Sequence, residues 1–549
     1  MSTKPPETPS AESPAEPPIH EQEAARRANL AKVRAIGGLN PYGTRTEGLV
    51  TLAEAKGRYD EEADAEHQAS AKSESPVDNR PRVRVAGRVM LKRTGGKLIW
   101  MNLRDASGED LQIAVSKRDC TGEGFPLAQA TDLGDIVVAH GPLMKTRTGE
   151  VTIWVDAFAP GSKSLTPPPT KHAGLQDVEL RYRQRYVDLW ANPETMRVFQ
   201  RRSAIVSNIR RLMDARGYQE VETPMLQAQA GGAAARPFVT HLNALDVEVS
   251  MRIAPELYLK RLLVGGMPKV YEVNRNFRNE GVDKQHNPEF TMIEAYEAFG
   301  DMGTMMELTE HLCRESARLV VAMSRSERDV SRVPDADLVL PFGEWMIDFG
   351  SPFVRVGYGE LFERSLGFAM SDLDKVWAKA EELGIVRKYA GHLAAEGREV
   401  GAGELRGKVD DAIIINEVFE EVAEASLDPA RPTYITDYPS AISPLTRPKP
   451  DQPELADRAD LFIGGMELAP HYTELNDPQV QAEKFRAQLA GIDDEESTFR
   501  NFDEDFIRAL KVGMPPAGGM GLGIDRLVML LTDQRSIRDV LLFPFMRPE

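Results

Sequence analysis

Apolar residues recur at helical intervals between positions 21 and 36, where Ala, Leu and Val are spread among charges. Residues 57–80 are polar and acidic, which predicts a helix running into a loop. From residue 82 the period shortens to two. Val83, Val85 and Gly87-Arg88-Val89 alternate like a strand, and Leu98–Leu103, Leu111–Val115, Ile136–Val138 and Val151–Val155 follow. Gly95-Gly96 and Ser107-Gly108 supply turns. Five short strands in about 80 residues predict a small β-barrel such as an OB-fold.

Pro167-Pro168-Pro169 cannot continue a sheet ladder and marks the end of that barrel. Asn192-Pro193-Glu194 then reads as a helix start, with a cap, a proline in the first turn and an acid near the positive end. Val198, Phe199, Ile205, Val206, Ile209, Leu212 and Met213 recur at helical spacing until Gly217 ends the run. Beyond it strands and helices mix, which predicts an α+β unit. The expected organisation is a disordered tail over 1–20, a helical and linker extension over 21–80, the barrel over 81–166, a linker over 167–190 and the large unit over 191–549.

Composition narrows the possibilities. No stretch approaches the ~18 consecutive apolar residues of a membrane span, and the first twenty residues, with six prolines and several acids, resemble neither a signal nor a transit peptide. Only Cys120 and Cys313 are present, which excludes a disulfide scaffold or a cysteine zinc site and predicts a cytoplasmic location. The formal net charge of −18 argues against nucleic-acid binding when taken alone. Two basic runs cut across it: Arg26, Arg27, Lys32 and Arg34, then Arg181, Arg183, Arg185, Arg197, Arg201, Arg202, Arg210 and Arg211. Each reads either as a phosphate-binding patch or as a solvated helix face.

Three clusters carry candidate chemistry: Gly217–Pro224; Tyr271–Glu280 with His286-Asn-Pro-Glu-Phe290; and Gly519-Met-Gly-Leu-Gly-Ile-Asp-Arg526. Arg278 ends an alternating strand, where an arginine can hold a phosphate bidentately. Phe290 offers a face for a base. The alternating glycines admit either a close ligand or tight strand packing, and Arg526 follows at a helix start. Taken singly, each arginine reads more often as a structural ion pair. No Gly-x-x-x-x-Gly-Lys-Ser/Thr run and no zinc-ligand cluster is present in the sequence.

In this order the clusters resemble motifs 1, 2 and 3 of the class II aminoacyl-tRNA synthetases. A barrel ahead of such a core is similar to the aspartyl, asparaginyl and lysyl group. Gly231–Phe238, Arg252–Lys260, His286–Met292 and Tyr472–Asp477 resemble its lysyl members. The resemblance implies an antiparallel-sheet catalytic core with a helical insertion around 365–425, whose long stretch from 370 to 412 has no assigned role. It further implies a homodimer through motif 1 with Pro224, and ATP, lysine and a lysine-accepting tRNA as ligands.

Residue by residue, it implies that Arg278 binds the α-phosphate and Arg526 the γ-phosphate, that Glu280 and Phe290 hold the adenine, and that His286 touches the phosphates. Asp460 and Glu467 would carry Mg2+. Glu474 and Tyr296 would meet the side-chain ammonium of lysine, Glu256 and Glu294 its α-ammonium, with Gly232 and Tyr472 in the same pocket. Buried carboxylates suit an ammonium, whereas an aspartate pocket would need a cation. In the barrel, Arg93, Trp100 and Gln112 would read the anticodon by stacking and hydrogen bonds; the alternative for Trp100 is a barrel-core aromatic. Three departures from the lysyl pattern stand out. Pro470, in Ala469-Pro470-His471, replaces an asparagine whose role His471 or a water would have to take; Asp460 replaces the usual Glu; Gln285 replaces a basic residue.

Overall fold

The computed structural model describes residues 21–70, 73, 77–120, 122–169, 175–233, 235–390, 401–489 and 502–548, so the expected tail over 1–20 lies outside the described residues. The chain forms two compact units, Met1–Arg197 and Val198–Glu549.

In the first unit the helix Glu21–Ala35 buries Leu30 and Val33, and the helix Glu61–Ser70 lies in the polar stretch. Six strands follow: β1 (Arg82–Gly95), β2 (Leu98–Arg104), β3 (Asp110–Ser116), β4 (Ile136–Lys145), β5 (Val151–Val155) and β6 (Ala157–Ser162). The sheet order is β1-β2-β3-β5-β4-β6, and an added β1–β4 pairing closes it into a barrel. One long strand serves both seams. β1 pairs β4 from Arg82 to Arg88, bulges between Val89 and Leu91, and pairs β2 up to Gly95. The alternation read from the sequence puts Val83, Val85, Ile99, Met101, Ile113 and Val115 inside. The sixth strand was not anticipated, because Pro160 and Gly161 interrupt its apolar pattern.

The charge-rich segments resolve toward the bland reading. Arg26 donates to the Ser164 carbonyl at 3.2 Å and Arg27 pairs with Glu23 at 2.7 Å. Arg181 and Arg185 both pair with Asp188, Arg183 pairs with Glu179, and Arg197 pairs with Glu194. Arg202 and Arg210 are held by Asp525 and Glu220 at 2.5 and 2.9 Å. Several of these pairs join neighbouring turns of one helix, as Arg27–Glu23, Arg183–Glu179 and Arg197–Glu194 do.

The second unit is built on an eight-stranded sheet of order β15-β16-β17-β18-β19-β12-β11-β7. Its members are β7 (Gln219–Glu220), β11 (Lys269–Phe277), β12 (Glu289–Ala298), β15 (Val354–Gly357), β16 (Thr433–Thr436), β17 (Arg458–Ile463), β18 (Met466–Thr473) and β19 (Ala517–Gly523). The interior pairings are antiparallel; the two edge pairings, β7 with β11 and β15 with β16, are parallel. A small sheet holds β8 (Leu226–Gln227), β10 (Val247–Met251) and β9 (Val239–Leu242), and β13 (Val339–Phe342) pairs with β14 (Trp345–Asp348) as a hairpin.

One face of the large sheet is covered by the helices Pro193–Ala215, Met302–Ser324 and Ile524–Leu531. Ile205, Ile209, Leu312 and Leu527 from these helices share a core with Ile293 and Leu522 of the sheet. Asp301 caps the second helix by accepting from the Thr304 N–H at 2.8 Å. Between β15 and β16 lie the helices Tyr358–Leu366, Leu373–Glu382, Ile385–Ala390, Ala402–Leu405 and Asp411–Val418. They have their own core, with Tyr358 and Phe419 stacked at 3.7 Å between ring centroids.

Candidate active site

The ends of β11, β12, β17, β18 and β19 and the helix Glu256–Val264 bring most of the sequence-selected residues of the second unit together. Arg278 immediately follows β11, its guanidinium 5.1 Å from the centre of the Phe290 ring on the neighbouring β12. Burial lowers its pKa, and its Nε has no hydrogen-bond partner among the described residues. A charged donor that is desolvated and unpartnered is ready for an anion. Arg526 donates from Nη1 to the Glu467 carbonyl at 2.5 Å, and its Nη2 lies 3.2 Å from His286 Nε2. His286 is in turn held through Nδ1 by Asp283 at 2.9 Å. Glu280 is exposed and accepts from the Arg236 N–H at 3.3 Å.

Deeper in the unit, three carboxylates converge. Glu256, Glu294 and Glu474 are 9%, 5% and 1% exposed, where unpaired charge is costly. Burial, and after it the charge of Glu256, push Glu294 up to about 8. The Tyr296 hydroxyl donates to Glu294 Oε2 at 3.2 Å. Burial raises Glu474 to about 7 against the opposing pull of Lys260. Two glycines make the room. A Cβ on Gly519 would stand 1.9 Å from Glu474 Oε1 and 2.6 Å from Tyr296 Cε1. Gly232, at φ +89°, lies against Glu256, its Cβ position 3.0 Å from that residue's Cβ. At Gly519 and Gly521 the glycine alternation lets the protein's own groups, Glu474, Tyr296 and Met292, pack against β19.

At the sheet's other side Asp460 is 2% exposed and gripped by Arg458, Nη2 to Oδ2 at 2.6 Å and Nε to Oδ1 at 3.1 Å. The Arg458 guanidinium also lies 5.8 Å from the Tyr472 ring centre. Glu467 is on the adjoining strand. Although the residue is largely exposed, its carboxyl lies among protein groups, and their desolvation, then Asp460, raise its pKa. Among the described residues no group of three or more His, Cys, Asp or Glu is arranged to hold a metal. Asp460 and Glu467 alone would offer a cation two hard carboxylate donors, part of a coordination shell.

The departure at Ala469-Pro470-His471 is resolved in part. His471 is wholly buried, with Nδ1 3.1 Å from the Ala459 carbonyl and Nε2 2.8 Å from Thr309 Oγ1. Burial lowers its pKa to about 4. It belongs to the core and does not compensate for the missing amide. Pro470 is on the opposite face, its Cγ 3.7 Å from where a Gly521 Cβ would lie, beside Glu294. Sequence reading missed Lys260 and Arg458. For Lys260 a signal existed: it follows Glu256 by four residues on a helix.

In the barrel the burial alternation of β2 sends Ile99 and Met101 inward and Trp100 to the outer face, which removes the core reading of Trp100. Arg93 is exposed and in register with it. Gln112 is different: it is 4% exposed, donating to Glu150 at 2.9 Å and accepting from Thr152 Oγ1 at 2.9 Å.

A strand-end arginine, a second arginine at a helix start and a glycine strand on an antiparallel sheet, in a chain that also carries a closed five-strand barrel, fit the D, K and N group of class II aminoacyl-tRNA synthetases. The chain belongs to this family: residues 177–547 match the class II tRNA synthetases (D, K and N), and residues 83–160 match the OB-fold nucleic acid binding domain. More particularly, it is similar to the Lysine--tRNA ligase of Carboxydothermus hydrogenoformans, 43% identical over 96% of this chain and 99% of the relative. It is similar also to those of Pelotomaculum thermopropionicum, 44% over 96% of each chain, and Ectopseudomonas mendocina, 44% over 96% and 95%. This family is ATP-dependent, and its barrel is an anticodon-binding domain. Among the described residues no helix is long and apolar enough to cross a membrane.

Proposed function

We propose that this protein activates lysine with ATP and transfers it to a lysine-accepting tRNA, in the cytoplasm and as a homodimer through the motif 1 segment ending at Pro224. The observation that carries this reading is the convergence of Glu256, Glu294 and Glu474 beside Tyr296 in one buried pocket. Such a pocket suits a substrate with two ammonium groups and repels an acidic side chain. The curated relatives add their printed name, Lysine--tRNA ligase.

In the first step the lysine carboxylate attacks the α-phosphorus of ATP, forming lysyl-adenylate and releasing pyrophosphate. The carboxylate is already a nucleophile, so positioning and charge stabilisation supply the acceleration. Glu474 and Tyr296 hold the side-chain ammonium, and Glu256 and Glu294 the α-ammonium, with Gly232 and Tyr472 shaping the pocket. Arg278 takes the charge developing on the α-phosphate, and its place against Phe290 sets it beside the adenine-stacking ring. Arg526 and His286, already in contact, take the outer phosphates, and Glu280 takes the adenine edge. Asp460 and Glu467 would hold Mg2+, which would screen the phosphate charge when bound; Arg458 fixes Asp460 for that role. In the second step lysine passes to the terminal ribose of the tRNA. Trp100 and Arg93, on the outer face of the barrel, read anticodon bases by stacking and charge, and Gln112 joins them only by releasing Glu150 and Thr152.

The test is ATP–pyrophosphate exchange against each of the twenty amino acids with magnesium. Exchange with lysine alone supports the reading and shows that Pro470 is tolerated. Exchange with aspartate or asparagine, or with none, overturns it.

A further inference from the structure

Lys260 has no solvent exposure, yet lies inside a pocket proposed to receive a cation. It sits one turn after Glu256 on the helix Glu256–Val264, and its Nζ is 2.5 Å from Glu256 Oε1 and 2.5 Å from Glu474 Oε2. The centre of the Tyr296 ring is 6.0 Å away. The rest of that helix packs on Phe485, Phe506 and Leu510, and its one other charge, Arg261, is paired with Asp503 at 3.1 Å. Burial alone would strip such an ammonium of its proton, but the two carboxylates more than offset it and hold the pKa above the ordinary lysine range. Buried ions persist only when paired this closely.

The pairing is asymmetric in a useful way. Lys260 takes one oxygen of each acid. Oε2 of Glu474 meets Lys260 as an ion pair, neither oxygen of Glu474 has a hydrogen-bond partner among the described residues, Oε1 lies over the backbone of Gly519, and Glu256 Oε2 faces Gly232. Among Glu256, Glu294, Glu474 and Lys260 the charges sum to two negative when Glu294 is ionised, matching the two ammonium groups of free lysine, while the nearby Arg278 and Glu272 act on Glu294 in opposite senses.

We propose that Lys260 is a positioning and specificity-determining residue, an internal counter-ion that orients Glu256 and Glu474 and sets the pocket to accept two positive charges. The proposal rests on the reading of Glu256 and Glu474 as lysine contacts. Without Lys260 the pocket carries three acids for two ammonium groups. Glu474, freed from the cation that opposes its burial, then holds a proton at neutral pH and loses its attraction for the substrate side chain.

The test uses the full-length protein carrying Lys260→Met in ATP–pyrophosphate exchange. The expected result is a lysine KM raised by about tenfold to 100-fold, an ATP KM within about twofold of the parent, and recovery of lysine binding as pH rises from about 6.5 to 9 as Glu474 ionises. A second variant, Lys260→Met with Glu256→Gln, restores two negative charges and keeps the proposal testable if the single variant folds poorly. It should show a flatter pH profile than the single variant. An unchanged lysine KM, or equal losses for ATP and lysine with the parent's pH profile in both variants, overturns the proposal and leaves Lys260 a packing residue. Glu474→Gln separates this failure from that of the underlying reading. If that change leaves the lysine KM untouched, the pocket assignment itself fails. If it raises KM while Lys260→Met does not, only the role of Lys260 fails.

Discussion

The pocket of the large unit and the outer face of the barrel place their candidate contacts on opposite sides of the solvent boundary. In the pocket, Glu294, Glu474 and Lys260 are 5%, 1% and 0% exposed, so their charges interact strongly and each sets the protonation of the others. On the barrel, Trp100 faces outward from a β-strand whose alternate residues fill the core. It adds a flat apolar surface and leaves the barrel's interior unchanged. The difference teaches that a change in the pocket should propagate through a charge network, while a change on the barrel face should act on one ligand only.

Four changes can break or sharpen that contrast. The largest effect is expected from Arg278→Ala, which removes the desolvated, unpartnered donor beside Phe290. Adenylate formation should fall about 100- to 1000-fold with no loss of thermal stability, and near-normal exchange would refute its role. Gly519→Ala comes next. The new methyl would stand 1.9 Å from Glu474 Oε1, which Lys260 keeps from swinging aside. Lysine KM should rise on the order of 100-fold while ATP KM holds, as a clash with one buried charged contact would produce; equal effects on both substrates would mean the sheet itself had shifted.

Trp100→Ala should weaken tRNA charging by about 1–3 kcal/mol, the range for losing one base stack. Amino-acid activation should stay intact. Unchanged charging kinetics would remove Trp100 from the RNA-binding face. The smallest effect is in pH. Glu294 titrates at about 8 in the empty pocket, so near neutrality it mostly carries a proton, while an α-ammonium needs the ionised form. Lysine KM should therefore fall roughly tenfold as pH rises from about 6.5 to 8, and Glu294→Gln should reduce that slope to the part owed to Glu474, which is raised to about 7. A flat profile in the parent would mean that Glu294 does not face the substrate.

Much of this was legible in the sequence because it follows from local periodicity. The alternation of β1 and β2 and the helical spacing from Val198 to Met213 depend on which side faces a core, and both are borne out, whereas β3 is buried throughout from Leu111 to Val115. β6 escaped because a proline and a glycine disguise its alternation, although pairing with β4 supplies what its pattern lacks. In the site, residue types named the acids and arginines, but not their partners. Lys260 was passed over because its meaning depends on Glu474, more than two hundred positions away, and only folding brings the two ions to 2.5 Å. His471 looked available for the same reason. The strand alternation that turns Pro470 toward Glu294 turns His471 into the core, and one-residue periodicity decides the matter once the face is known.

The shared strand of the barrel has a consequence beyond shape. Because β1 bends to pair with β4 along its first half and β2 along its second, the ring β1-β2-β3-β5-β4 closes on itself. Unpaired N–H and C=O rows are the template on which sheets recruit strands from other molecules. The closed ring withholds that template from its five strands and leaves β6, paired to β4 alone, as the edge, so the outer face around Trp100 can stay bare with little invitation to strand exchange.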